Sequence, residues 1–149
     1  MKTIVTKASE ADIPMIAAVE ADSFSDPWTA DSLLSALSDR LGIFLAAKNE
    51  SGALTGYLIG SCDGYSGYIE KVAVCGAARR QGTGTALLRA FCESLPKTAD
   101  NISLEVRESN DPAIRLYERF GFEKAGVRKK FYSCPVENGI VMIMKLKEE

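Results

Sequence analysis

Two glycines separated by one residue lie between an apolar run and an amphipathic stretch near the middle of the chain. The order is KVAV, then, a few residues on, RRQGTG, then TALLRAFCESL, with Pro96 directly after it. Leu87, Leu88 and Phe91 recur at helical spacing, and proline cannot continue a helix. The segment therefore predicts a strand, a tight glycine turn and a helix in immediate succession.

Glycines at the start of a helix are suited to binding phosphate. The backbone can approach a ligand closely there, and the free N–H groups and helix dipole favour an anion. Neither common nucleotide motif fits, because a Walker loop needs lysine where Thr85 stands and a dinucleotide fingerprint needs glycine where Leu87 stands. Taken alone, Gly82 and Gly84 fit a ligand-free strand-to-helix turn equally well.

Length and composition restrict the class of protein. With 149 residues, 46% of them hydrophobic and 26% charged, the chain predicts one globular domain over residues 1–149. A net charge of -2 gives no overall attraction to nucleic acid, so no direct nucleic-acid contact is expected. The N-terminal stretch lacks the apolar run of a signal peptide and no later run could span a bilayer, which predicts a cytoplasmic protein without membrane contact.

The absence of histidine restricts the chemistry. Four cysteines are far apart and contain no CxxC pair, so no metal site is predicted. Any enzymatic acid or base would have to come from carboxylates, tyrosine, lysine, cysteine or bound water.

Hydrophobic periodicity and turn residues predict the other elements. Strands are expected near 3–7, 43–48, 54–62, 68–75, 102–106 and 140–146, and helices over about 10–23, from Thr29, after the glycines and after Asn110 or Asp111. Thr29 suits an N-cap, Pro112 a first helical turn and Gly121 a C-cap. This order predicts an α/β or α+β domain with a mixed sheet.

The stretch ISLEVR alternates strictly between apolar and polar residues. Ile102, Leu104 and Val106 would lie on one face of a strand, and Ser103, Glu105 and Arg107 on the other. One face of this strand is therefore expected to present polar side chains.

The glycine motif resembles that of the GNAT family of N-acetyltransferases when its neighbours are considered. The motif RRQGTG has KVAV before it and LEVRESNDPAIRLYERFGF after it. That last block, with FSDPWT and VRKKFY followed by ENGIVM, is similar to the ribosomal-protein alanine N-acetyltransferase branch of the family. The resemblance covers essentially the whole chain and implies the GNAT fold, a mixed, mostly antiparallel central sheet flanked by helices in one domain.

The resemblance also implies a site for acetyl-CoA as cosubstrate. The backbone of Val72, Ala73 and Val74 would bind the pantetheine arm and the thioester. The pyrophosphate would be held by a loop made of Arg79, Arg80, Gln81, Gly82, Thr83, Gly84 and Thr85. Asn110 would contact the cofactor near the next helix.

Two residues match the proposed catalytic pair of the family, Glu105 as general base and Tyr117 as general acid. Taken alone, Glu105 would be a solvated strand residue and Tyr117 a core aromatic, but their joint position in one matched block favours catalysis. An α-amino group has a pKa of about 7.7 to 8.0 and is mostly protonated at neutral pH, and a carboxylate could take its proton, directly or through water. A tyrosine, with a pKa near 10, can donate a proton to the departing thiolate.

The resemblance predicts direct acetyl transfer to the N-terminal amine of a protein, with a ribosomal protein as the first candidate. A small-molecule acetyltransferase acting on an amino acid or polyamine, and a non-catalytic acyl-CoA-binding module, are the alternatives. Cys75 and Cys134 could carry an acyl group, but no histidine is present to activate them. Tyr132 is assigned to the acceptor cleft. The sequence departs from the branch before the last strand, where two acidic residues and an alanine are usual and Glu137, Asn138 and Gly139 stand.

Overall fold

The computed structural model describes residues 2–79 and 81–146 of the chain. Its elements are, in order, β1 (Ile4–Lys7), a 3-10 turn (Glu10–Asp12), α1 (Ile13–Ser23), α2 (Ala30–Leu37), β2 (Gly42–Lys48), β3 (Leu54–Cys62), β4 (Ser66–Val74), a second 3-10 turn (Gly76–Ala78), α3 (Thr83–Ser94), β5 (Asn101–Arg107), α4 (Asp111–Phe120), β6 (Glu123–Tyr132) and β7 (Glu137–Lys145). None of the helices in these two ranges is long and apolar enough to cross a membrane.

The seven strands form one sheet in the order β1-β2-β3-β4-β5-β7-β6. Neighbouring strands are antiparallel except for β4 and β5, which are parallel and are joined by the crossover through α3. The prediction of a mixed sheet, mostly antiparallel and flanked by helices, is confirmed.

A hydrophobic core lies on each face of the sheet. On the face covered by α3 and α4, here called the α3 face, Leu87, Leu88 and Phe91 pack against the alternating apolar side chains of β5. On the opposite face, called the α1 face, Ile16 and Leu33 from α1 and α2 pack against side chains of β2 and β3. The alternation predicted for β5 is confirmed, since Ile102, Leu104 and Val106 are buried on the α3 face.

The two parallel strands separate partway along their length. Pairing between β4 and β5 ends at Ile69 and Leu104, although β4 continues to Val74 beside β3 and β5 continues to Arg107 beside β7. The separation begins at Glu70, an extra residue in β4 that interrupts its register with β3. The resulting opening between residues 70–74 and 105–107 is called the β4–β5 gap.

The predicted helix ends agree with the structure. The Thr29 side chain caps α2 by accepting a hydrogen bond from Ser32 N at 3.1 Å, and Asn110 is the residue that caps α4. Gly121 ends α4 with a φ of 125°. Such caps depend on a few neighbouring residues, which is why the sequence predicts them.

The bounds of one strand, β6, were not predicted from the sequence. Only a strand near 140–146 was predicted after α4, whereas β6 comes before it and β7 begins earlier, at Glu137. All residues of β6 from Glu123 to Phe131 are exposed, because β6 is an edge strand without a helix over it. A strand that buries neither face has no alternation of apolar and polar residues to reveal it.

Candidate active site

Glu105 and Tyr117 lie on opposite faces of the sheet. Glu105 points to the α1 face, because the neighbouring residues of β5 are buried on the α3 face. Tyr117 belongs to the core of the α3 face, where it is 7% exposed and its ring packs edge-on against Phe122 at 5.8 Å. Burial raises the pKa of Tyr117 above its usual range, and the nearby Tyr132 hydroxyl contributes to the shift. Tyr117 therefore stays protonated at neutral pH and can act as a proton donor.

Both carboxylate oxygens of Glu105 have partners. The hydroxyl of Tyr68, on β4, donates a hydrogen bond to Oε1. Arg128 Nε lies 3.5 Å from Oε2, but the Arg128 side chain is 61% exposed whereas that of Glu105 is 7% exposed. Burial and the bond to Glu105 raise the pKa of Tyr68. Tyr68 thus holds one oxygen of this largely buried carboxylate, and the exposed Arg128 pairs with the other.

Tyr68 was not identified from the sequence. It precedes Glu105 by 37 residues and reaches it only because β4 and β5 are parallel neighbours at that position. No local pattern reports such a contact, since a tyrosine at the start of a strand is common in any sheet.

Arg107 holds the turn between β6 and β7 (residues 133–136). Its guanidinium donates hydrogen bonds to the carbonyl oxygens of Ser133, at 2.9 Å, and Pro135, at 3.0 Å. It also forms an ion pair with Glu137 at 3.2 Å. Nη2 lies 3.5 Å from Ser25 Oγ, in the loop between α1 and α2 (residues 24–29). One side chain therefore contacts both the α1–α2 loop and the β6–β7 turn.

Tyr132 lies at the same end of β6, beside these charges. Its ring packs against the Arg107 guanidinium at 4.6 Å. Burial, and after it the charge of Glu105, raise the pKa of Tyr132 to about 12, with Arg107 acting in the opposite direction. Tyr132 is thus close to Glu105 on the open part of the α1 face.

A buried carboxylate anchors the α1–α2 loop. Glu20, on α1, is fully buried, and its oxygens accept hydrogen bonds from Tyr57 Oη at 2.5 Å and from the backbone N of Trp28 at 2.8 Å. Lys71 Nζ forms an ion pair with the same carboxylate. The Lys71 ammonium also lies 4.3 Å from the centre of the Phe24 ring and 4.8 Å from that of Trp28.

An open cleft of about 520 Å³ extends from this cluster between α2 and strands β3 and β4, with Trp28, Asp39 and Glu70 in its lining. Partial desolvation raises the pKa of Glu70. Lys71 lowers it, while Asp39 and Glu105 raise it through like-charge repulsion. The α1 face beside the gap thus carries several carboxylates, which favours a cationic group.

Gly82 and Gly84 lie at the start of α3, as the sequence predicts. Gly82 precedes α3 with a φ of 83°, a left-handed conformation that favours glycine. Gly84 has a packing reason as well, because a Cβ there would lie 2.8 Å from Leu116 Cδ2 of α4. The first N–H groups of α3, including that of Thr83, have no acceptor within the helix. They are therefore suited to binding phosphate oxygens.

The other predicted cofactor residues surround the same edge of β4. Val72, Ala73 and Val74 border the gap, and in the described part of the chain no strand pairs with this edge beyond Ile69. Arg79 is exposed, and its Nε lies 3.4 Å from the Val74 carbonyl oxygen.

The other residues predicted to bind the cofactor differ in exposure. Gln81 is exposed, Thr85 is half-buried and Arg80 lies outside the described residues. Asn110 caps α4 by accepting a hydrogen bond from Ala113 N at 3.3 Å, a structural role that the sequence also predicted.

Cys75, one of the two alternative nucleophiles, is poorly suited to catalysis. Cys75 is half-buried, with Sγ 3.5 Å from the Leu54 carbonyl oxygen, and burial raises the pKa of its thiol. A raised pKa leaves less thiolate, which is the reactive form. Within residues 2–79 and 81–146, no cluster of three or more acidic or cysteine side chains could hold a metal ion.

Comparison with known proteins gives a consistent family. Residues 11–122 match the model of the acetyltransferase (GNAT) family. A putative [ribosomal protein bS18]-alanine N-acetyltransferase of Bacillus subtilis is 32% identical over 148 residues, covering 99% of this chain and 98% of that protein.

Two crystal structures share the fold over nearly the full length. Ard1 of Thermoplasma volcanium superposes with a TM-score of 0.88 and 26% identity, covering 99% of this chain and 100% of that one. The ribosomal-protein-S18-alanine N-acetyltransferase of Escherichia coli superposes with a TM-score of 0.87 and 24% identity, covering 99% and 96%.

Proposed function

The chain belongs to the acetyltransferase (GNAT) family, in its ribosomal-protein alanine N-acetyltransferase branch, and from this premise we propose that it acetylates the N-terminal α-amino group of a protein. Membership confirms the predicted family and fold and makes the chain an acetyl-CoA-dependent N-acetyltransferase. We propose a ribosomal protein as the acceptor because the relatives from Bacillus subtilis and Escherichia coli carry that activity in their names.

The β4–β5 gap is the observation that supports this proposal most. Glu105 borders it on the α1 face, whereas Tyr117 lies on the α3 face, where α3 and the glycine loop also lie. A thioester held between the strands would thus have a proton acceptor on one side and a proton donor on the other. The cofactor would reach the gap from the α3 side and the acceptor amine from the α1 side.

The residues of the chain have distinct roles in the proposed transfer. The free backbone edge of Val72, Ala73 and Val74 would bind the pantetheine amides as an added strand does, and the start of α3 would bind the pyrophosphate. Acetyl-CoA supplies an acetyl group activated as a thioester. Glu105 would take a proton from the α-ammonium, directly or through water, and so free the amine lone pair.

Bond formation and cleavage would then follow without an acyl-enzyme. The amine nitrogen forms a bond to the acetyl carbon and loses its second proton to solvent as the carbon–sulfur bond breaks, and Glu105 later releases its own proton to solvent. Tyr117 would give its proton to the departing sulfur and recover one from solvent. The half-buried Cys75 has no part in this scheme.

The acceptor side has features that suit a polypeptide. The α1–α2 loop and the β6–β7 turn flank it, and the Arg107 guanidinium contacts both. Glu105 and Glu70 provide the negative charge that would attract a cationic N-terminus. The cleft between α2 and strands β3 and β4 is open and leaves room for a chain that continues beyond its first residue.

Steady-state kinetics would test the proposal. Purified protein is supplied with acetyl-CoA and, in separate assays, a peptide beginning with alanine, the same peptide already Nα-acetylated, a free amino acid and a polyamine. We expect acetylation of the free peptide alone, with intersecting double-reciprocal plots that indicate a ternary complex. Acetylation of the polyamine or amino acid with the peptide left unmodified would replace the protein acceptor by a small-molecule one.

A further inference from the structure

Lys71 lies in β4 at a position where the strand itself does not require a charged side chain. It follows the extra residue Glu70 and precedes Val72, so it borders the β4–β5 gap on the α1 face. Its side chain is 12% exposed and its ammonium is paired with the fully buried Glu20. We propose that Lys71 limits the size of the acceptor's first side chain, so that the enzyme selects small first residues; this inference rests on the proposed function.

The position of the ammonium is fixed from several sides. Glu20 is itself held by Tyr57 Oη and by the backbone N of Trp28, so it cannot follow Lys71 if that side chain moves. The Phe24 and Trp28 rings lie 4.3 and 4.8 Å from the ammonium. Lys71 therefore fills the space beneath the α1–α2 loop with a charge held by a buried carboxylate and by aromatic rings.

The surroundings of Glu105 direct the first side chain toward this space. An amine that loses its proton to Glu105 and attacks a thioester in the gap must lie between β4 and β5 on the α1 face. Tyr68 closes one side by its bond to Glu105, and Tyr132 with Arg107 closes the side toward β6 and β7. Two directions remain, along the open cleft past Glu70 and beneath the α1–α2 loop, where Lys71 lies. Because the cleft has to admit the rest of the peptide, the first side chain is left with the space beneath the loop.

A larger first side chain would have to displace the ammonium from Glu20. Removing one partner of a buried ion pair leaves the other charge uncompensated, which is strongly unfavourable. A small side chain, such as that of alanine, serine or glycine, leaves the pair intact.

Stability alone does not account for a charge at this position. Replacing a buried ion pair by well-packed apolar residues is often neutral or stabilising, so a methionine with an uncharged partner would pack as well. What the ion pair adds is resistance to displacement. A flexible apolar side chain could move aside for a larger acceptor residue, whereas the paired ammonium could not.

Two matched double variants separate the volume of Lys71 from its charge. In Glu20→Gln/Lys71→Ala, the space is opened without leaving a buried carboxylate unpaired. In Glu20→Gln/Lys71→Met, the charge is removed but most of the volume stays. For each, and for the unmodified enzyme, kcat/KM is measured with acetyl-CoA and two peptides that differ only in a first alanine or leucine.

The unmodified enzyme is expected to prefer the alanine peptide by at least about tenfold, the discrimination that a few methylene groups provide. Glu20→Gln/Lys71→Ala should raise the leucine-to-alanine ratio of kcat/KM by about tenfold or more. Glu20→Gln/Lys71→Met should raise it clearly less. Should the Lys71→Ala variant fail to fold, Glu20→Gln/Lys71→Thr replaces it with the same expectation.

Two outcomes would overturn the inference. The unmodified enzyme could acetylate both peptides equally well, or the ratio could stay unchanged when Lys71 is shortened. In each case peptide acetylation persists and the proposed function stands. Loss of the proposed function is a different result, in which the unmodified enzyme acetylates neither peptide, and it would remove this inference as well.

Discussion

The hydroxyl of Tyr68 donates a hydrogen bond to the carboxylate of Glu105, at the position where β4 and β5 stop pairing. We expect Tyr68→Phe to lower kcat/KM for an N-terminal peptide by roughly tenfold or more, because a hydrogen bond to a charged group contributes about 1.5–3 kcal/mol. The dissociation constant of acetyl-CoA, measured by calorimetry, should change little. An unchanged kcat/KM would show that Glu105 needs no such support.

Tyr117→Phe should separate catalysis from cofactor binding. Loss of a general acid lowers turnover by about a hundredfold or more, so kcat should fall while the affinity for acetyl-CoA is nearly retained. Tyr65→Phe is the matched control, since Tyr65 is 67% exposed and lies in the turn before β4. If Tyr117→Phe turns over substrate at neutral pH as fast as the unmodified enzyme does, Tyr117 is not the general acid.

Gly56→Ala should destabilise the fold beneath the gap. A Cβ at Gly56 would lie 2.6 Å from the Ala73 carbonyl oxygen, a backbone atom of β4, and 3.2 Å from Thr83 at the start of α3. Overpacking of this kind costs about 1–3 kcal/mol of the free energy of unfolding. Gly126→Ala, where a Cβ meets no heavy atom within 4 Å, should stay within about 0.5 kcal/mol. Urea unfolding compares the two, and equal effects would contradict the packing argument.

The stability of the protein should depend on the protonation of Glu137. Hydrogen bonding from Ser109 and, further, from Arg107 lowers the pKa of Glu137. A carboxyl group whose pKa is lower in the folded state stabilises the fold above its unfolded value of about 4.3, and this contribution is lost as the pH falls through the folded pKa.

Glu137→Gln should therefore weaken the acid dependence of stability. Its free energy of unfolding should differ less between about pH 6 and pH 3 than that of the unmodified protein, because glutamine does not titrate there. Glu50→Gln, at the exposed turn between β2 and β3, should leave the acid dependence as it is. Urea unfolding at the two pH values measures both, and parallel behaviour of the two variants would refute the assignment.

Cys75→Ala should leave catalysis nearly intact. The half-buried thiol has a raised pKa and no part in a direct transfer, so kcat is expected to remain within about twofold. Acetyl-CoA incubated without peptide should leave no acetyl adduct on the unmodified protein by mass spectrometry. A stable adduct on Cys75 that is lost on adding peptide would favour an acyl-enzyme instead.

Much of the candidate site could be predicted from short stretches of sequence. The polar face of β5 follows from the alternation around Glu105, and the start of α3 follows from Gly82 and the amphipathic stretch after it. Both predictions depend on residues that are close to each other along the chain. The edge strand β6 was not predicted because its exposed residues show no regular alternation of apolar and polar side chains.

The contacts that surround Glu105 and Lys71 could not be predicted in this way. Tyr68 and Glu105 are 37 residues apart, Lys71 and Glu20 are 51 apart, and Arg107 and Ser25 are 82 apart. Each pair depends on which strands become neighbours and in which register, and that is decided by the packing of the whole sheet.

The sequence by itself determined the local conformations of this protein and, through its motifs, the family to which it belongs. Caps, alternation and glycine turns arise from interactions between residues close along the chain, so they can be recognised without a structure. Only the tertiary structure decided that β4 and β5 separate after Ile69 and that Lys71, Tyr68 and Arg107 come together beside the gap. Hydrogen bonds and ion pairs between distant residues exist only once strand pairing has brought their side chains within reach.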